Sequence, residues 1–266
     1  MAWNCRARGR RRVELPERVI SPERVDRPEH VVSPASGIDG DEPWMYGLRP
    51  VSSSLRVEHD FLSASDRCFF LFDYRITGKS PVRSPVNRLI AAFKAAPAWV
   101  GADPVRMRHK RRAIEAVAAA LRLCIPRAQA EAVTWIPLPP SKACGDPGYD
   151  NRLERVLALA FRGYDVDVRP LLSMRRSVAA DHVASRRLSA RALGGLLVVD
   201  RAALAALPAR GRLALFDDVL TSGKHFRCSE QLLRACCPDV AIDGVFLARR
   251  TPAVCRHGVA EPRWLG

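Results

Sequence analysis

Residues 213–225 read LALFDDVLTSGKH. Leu213 to Phe216 form a continuous apolar run, the pattern of a strand buried on both faces of a parallel sheet. Asp217 and Asp218 end that run, and Thr221, Ser222 and Gly223 supply a small hydroxyl-and-glycine turn. Beyond it Phe226, Ser229, Leu232, Leu233 and Cys236 recur at helical spacing, which starts a helix near Lys224 or His225. A second apolar run, Ala241 to Ala248, reads as the next strand. Such a strand–loop–helix–strand unit places ligands at the carboxyl ends of its strands. The turn would offer backbone N–H groups and hydroxyls at a helix N-terminus, where the dipole favours an anion. The two carboxylates repel an anion, but they accept hydrogen bonds from hydroxyls or face a divalent cation. A sugar phosphate satisfies both halves: phosphate on the loop, hydroxyls on the acids. Paired acids at a strand end also read as a solvated loop start or as charges at a helix N-terminus. A Walker-type phosphate loop is not the answer, because the G-x-x-x-x-G-K-[ST] spacing is missing.

The chain around this stretch has 266 residues, 48% of them hydrophobic, enough for a buried core. Its net charge of +15 is unevenly spread. Residues 1–50 hold 9 Arg and 8 Asp or Glu; the other 34 basic and 20 acidic residues give 51–266 about +14. That basicity fits an anionic ligand and also leaves nucleic acid open as a partner, although no helix-turn-helix or other nucleic-acid module is present in the sequence. Eight scattered cysteines form no C-x-x-C pair, which excludes a zinc ribbon or thioredoxin-like site. Cys255 and His257 are two possible ligands without two partners. No run of 18 apolar residues and no signal-peptide core is found, so the expectation is a cytoplasmic protein with reduced thiols and no membrane partner. A homodimer is compatible with this composition.

Three regions separate along the chain. Residues 1–50, rich in Arg, Pro, Glu and Val, lack a sustained apolar period and are expected to be a disordered tail, with Met45 an alternative start. Removing residues 1–44 is therefore expected to leave the melting temperature unchanged in a thermal scan; a large drop would show that the tail packs. Residues 51–130 read as the strand RCFFLFDYR followed by two helices. Ser84–Pro85 and Asp103–Pro104 each supply a cap and a first-turn proline. The first helix turns Val86, Leu89, Ile90 and Phe93 inward, the second Met107, Ile114, Val117, Ala118 and Leu121. Arg106, Arg108, Lys110, Arg111 and Arg112 crowd the start of the second helix against its dipole, either as a solvated basic face or to meet an anion. From residue 131 the strand-like AVTWIPL leads into prolines, Ser141, Lys142 and a turn at 145–148, then a helix with Leu153, Val156, Leu157, Ala160 and Phe161 inward. Arg175, Arg176, Arg186, Arg187 and Arg191 follow in a segment of broken period.

The order of four apolar residues, two acids, an apolar residue, any residue, two hydroxyl residues and glycine closely resembles the 5-phosphoribosyl-1-diphosphate (PRPP) motif of type I phosphoribosyltransferases. The blocks GYDNRL, R-S-x-x-A-D-H with R-L downstream, and DDVLTSG resemble, more narrowly, the ComF-like, amidophosphoribosyltransferase-like group over about residues 65–252. The resemblance implies an α/β fold, a parallel sheet flanked by helices with a small variable hood, binding PRPP with magnesium (Mg2+). It implies that residues 51–266 form the phosphoribosyltransferase-like domain, with 51–130 an N-terminal strand and helices and 131–266 the PRPP-binding core. Asp217 and Asp218 would take the ribose hydroxyls and approach the metal only through PRPP. Thr221, Ser222, Gly223, Lys224 and His225 would hold the 5-phosphate. Ser141 and Lys142 would sit in the pyrophosphate loop, and the basic segment would close over diphosphate. The chain departs from the group in lacking a four-cysteine zinc module and in carrying His225 where Thr or Ser is usual and Lys224 where a small residue is usual.

Two functions follow from the resemblance. One is phosphoribosyl transfer to an unidentified nitrogenous acceptor, a glycosyltransferase reaction. Its oxocarbenium-like transition state needs the ribose held, the departing diphosphate neutralised and water excluded. Magnesium, Lys142 and Arg175 or Arg187 would supply that charge. Asp181–His182 in the basic segment reads either as a further acid–base pair or as a structural or solvated histidine beside an acid. The other is a regulatory or DNA-uptake accessory protein that binds PRPP or a nucleotide without turnover.

Overall fold

The structure, a computed structural model, describes residues 47–77, 80–81, 83–178, 188–205 and 211–252. Short β1 (Arg49–Pro50) and α1 (Ser53–Arg56) lead to the long β2 (Arg67–Thr77) and its hairpin partner β3 (Ser80–Pro81). Helices α2 (Pro85–Lys94), α3 (Pro97–Gly101), α4 (Pro104–Cys124) and α5 (Arg127–Glu131) follow, then β4 (Thr134–Pro137), α6 (Arg152–Ala160) and β5 (Asp167–Val168). The remainder is β6 (Leu172–Met174), α7 (Ala190–Leu196), β7 (Leu197–Val199), α8 (Arg201–Ala205), β8 (Arg212–Leu220), α9 (Lys224–Arg234) and β9 (Ala241–Pro252). The protein is α/β. Its main sheet runs β1-β2-β9-β8-β4-β5 with β3 beside β2, and every pairing from β2 through to β5 is parallel. A separate antiparallel pair joins β6 to β7.

The central strands are buried on both faces, and alternation divides their side chains between two cores. On one face Ala214 and Phe216 of β8, Trp135 of β4 and Val245 of β9 pack with Ile90, Phe93, Ile114, Val117 and Val156 of α2, α4 and α6. On the other, Leu213, Leu215, Ile136 and Phe246 pack with Phe226 and Leu233 of α9. The expected caps are in place: the Ser84 side chain accepts from the Asn87 N–H, and Asp103 accepts from the Val105 N–H. Met107, expected inward, is 51% exposed. Leu48 is buried and Arg49–Pro50 pair with β2, so packed structure begins before residue 51. No helix of the described residues is long and apolar enough to cross a membrane, and the six described cysteines are all free.

The connections locate the functional end of the sheet. β8 leads through α9 to β9 on one side, while its neighbour β4 leads through α6 to β5 on the other. The two helices lie on opposite faces. The boundary between β4 and β8 is thus a topological switch point, and the loops after both strands leave side by side. Register confirms their adjacency: Pro137 lies opposite Phe216, and the Leu138 N–H donates to the Phe216 carbonyl at 2.9 Å.

Candidate functional site

The acids lie inside the strand, not at its end as the apolar run alone suggested. β8 continues to Leu220, and the turn is only Thr221 to Gly223 before α9 begins at Lys224. Gly223 has φ 81°, the left-handed conformation that favours glycine, and a Cβ there would lie 2.8 Å from Leu62 Cδ2. No side chain caps α9, so its first N–H groups, which lack intrahelical acceptors, open at the switch point.

Because successive strand residues face opposite ways, Asp217 and Asp218 diverge. Asp217 turns to the α9 side, where its Oδ2 lies 3.1 Å from His225 Nδ1 and its Oδ1 accepts from the Asp218 N–H at 2.8 Å. Asp218 turns to the helical face and is 5% exposed. Lys94 Nζ donates to its Oδ1 at 3.0 Å and Arg152 Nη2 to its Oδ2 at 2.5 Å. Burial alone would raise the Asp218 carboxyl, but these two cations outweigh it and hold it well below the usual carboxylate range. In this arrangement the two acids have different partners, Asp217 beside His225 and Asp218 between Lys94 and Arg152.

The charge network extends inward. Arg152 Nη1 also donates to Asp150 Oδ2 at 3.0 Å, and Lys110 Nζ donates to the same oxygen at 2.6 Å. Lys110 further reaches the Ala95 carbonyl at 2.5 Å, closing the C-terminal end of α2. Burial lowers the Lys110 ammonium from its ordinary value, opposed by Asp150. Of the five cations expected as a solvated face or an anion site, Lys110 is thus buried structure, while Arg106 pairs with Asp103 and stacks over Trp99. Sequence reasoning missed Lys94, Lys110, Asp150 and Arg152 as one cluster. The only sequence signal was that Asp150 and Arg152 fall within GYDNRL.

The loop after β4 carries Ser141 and Lys142, and both stand half-buried at the switch point. The loop is tied to the basic segment: the Val178 N–H donates to the Ser141 carbonyl at 2.9 Å. Asp146 accepts from Ser177 Oγ and, at 2.7 Å, from the Gly148 N–H. The Ser177 bond first, then Gly148, lower the Asp146 carboxyl. Arg175 is exposed, with its N–H on the Leu196 carbonyl. The Lys224 Nζ donates to the Leu188 carbonyl at 2.5 Å. Arg186, Arg187, Asp181, His182, Cys255, His257 and residues 1–46 of the tail lie outside the described residues.

Among the described residues no three His, Cys, Asp or Glu side chains converge as a metal cage. Asp218, already facing two cations, does not fit a magnesium ligand in this arrangement. Asp217 fits only as one acid beside an ion brought in by a diphosphate. No protein-family model matches this chain, and no curated protein matches it.

Proposed function

We propose that the chain is a type I phosphoribosyltransferase-like protein of the ComF-like kind, binding PRPP with magnesium and passing the phosphoribosyl group to a nitrogenous acceptor. One observation carries this reading: a left-handed Gly223 opens the uncapped N-terminus of α9 at the switch point, with the Asp217 carboxylate beside it. In this reading the N–H groups from Ser222 to His225 hold the 5-phosphate and Asp217 accepts from the ribose hydroxyls. Ser141 hydrogen-bonds the diphosphate, Lys142 and Arg175 neutralise it, and the β6–β7 pair with α7 forms the small hood.

Lys142→Ala is expected to weaken PRPP and diphosphate binding by about tenfold or more, the usual loss of a charge-assisted contact, while ribose 5-phosphate binds as before. Calorimetry with the three ligands checks it, and equal losses would place Lys142 elsewhere.

The engagement of Asp218 by Lys94 and Arg152 favours a second reading, a PRPP-binding regulator without turnover, because one of two hydroxyl acceptors is already occupied. Diphosphate release measured against nucleobases, ammonia and amines decides between them. Release with any acceptor supports transfer; PRPP binding with no release from any supports the regulator; absence of PRPP binding overturns both.

A further inference from the structure

A segment from the first third of the chain lies against the turn. His59 is 1% exposed, and its Nδ1 contacts the Thr221 carbonyl. The Phe61 N–H donates to the Ser222 carbonyl at 2.9 Å, and Leu62 fills the space beside Gly223. The strap is itself anchored. Arg227 of α9 donates to the Phe61 carbonyl at 3.1 Å and pairs with Asp66, and Glu58 pairs with Arg249 at 2.6 Å.

A carbonyl oxygen only accepts, so Nδ1 of His59 carries the proton. Burial lowers the imidazole from its ordinary value, and Nε2 is buried without a partner. A buried polar atom left unmatched is uncommon and calls for a reason. Backbone geometry supplies one. In a trans peptide the C=O and the following N–H point in opposite directions. With the Thr221 and Ser222 carbonyls held against the strap, the N–H groups of Ser222 and Gly223 must point away from it.

We propose that His59 is a positioning residue, clamping the Thr221 carbonyl so that the Ser222 and Gly223 N–H groups are aimed outward at a phosphomonoester. The inference rests on reading 221–225 as a phosphate cradle. It names residues 59–62 as the part of the chain that orients that cradle before any ligand arrives.

The test is calorimetry of the full-length protein with ribose 5-phosphate and with diphosphate, for wild type, His59→Ala, His59→Asn and His59→Gln. Asn places an amide N–H near the position of Nδ1, and Gln places one near Nε2. His59→Ala is expected to weaken ribose 5-phosphate about tenfold or more and leave diphosphate affinity unchanged. Asn is expected to restore most of the loss and Gln little. Equal weakening of both ligands, or equal rescue by Asn and Gln, would overturn the clamp as a merely structural contact. Unchanged ribose 5-phosphate affinity in His59→Ala would overturn it too. Should the alanine variant fail to fold, the Asn and Gln pair decides alone. Wild type that does not bind ribose 5-phosphate overturns the phosphate reading itself, a result distinct from an intact wild type with insensitive variants.

Discussion

Asp218→Asn is expected to cost about 3 kcal/mol of folding stability, the lower end of what breaking a buried ion pair costs. The asparagine keeps the size of the side chain but leaves Lys94 without its carboxylate and Arg152 with only Asp150, which it shares with Lys110. The lower end applies because the Lys94 side chain is 36% exposed and water screens part of the penalty. At about 2–4 °C per kcal/mol for a domain of this size, the melting temperature should fall by roughly 6–12 °C. The pH dependence has a definite sign. The folded carboxyl is held below its unfolded value of about 3.9, so its contribution is present above that pH and is lost as pH falls toward the folded value. The gap between wild type and variant should therefore be constant near neutrality and close in strong acid. A gap that is absent at pH 7, or that widens on acidification, would show that Asp218 does not hold these cations.

Gly223→Val is expected to weaken ribose 5-phosphate binding by about a hundredfold or more, equivalent to about 2.7 kcal/mol. A β-branched residue at φ 81° is strained by roughly 1–3 kcal/mol, and its Cβ would meet Leu62 Cγ at 2.9 Å as well as Cδ2. Relief requires either moving the strap or rotating the peptide that presents the donors, and both spoil the cradle. Calorimetry on protein shown to be folded by circular dichroism checks it. Affinity within twofold of wild type would remove the loop from the site.

What could be read directly was whatever local physics decides. The buried run at 213–216, the helix start at Lys224, the two cap-and-proline openings and the run at 241–248 all stand in the structure within a few residues. The extension of β8 through both acids could not be read, because only the neighbouring β9, paired as far as Leu220, draws those polar residues into the sheet. Lys110 looks like its neighbours in a basic run; only the folded position of Asp150, 40 residues on, makes it a buried group. The same holds for Lys94, whose partner lies 124 residues away and which by itself reads as a cation suiting a helix C-terminus. Residues 58–66 have no period at all, and their contacts with the turn at 221–223 and with α9 exist only in the folded chain. Local pattern thus located the turn at 221–223, while the groups that pack around it came from distant chain.

The pairing of β2 with β9 along nine registered residues joins the first long strand of the described residues to their last. On a ribosome, β2 leaves the tunnel with one lateral partner still untranslated, and its inter-strand hydrogen bonds on that side wait until residues 241–252 have been made. Contacts of such sequence separation slow folding and lengthen exposure of an unpaired edge. The turn at 221–223 shares that schedule in reverse: its strap is made first and waits for it. Nascent chains stalled before residue 241 should therefore hold β2 with its β9-facing edge open, which is when a chaperone would have something to grip.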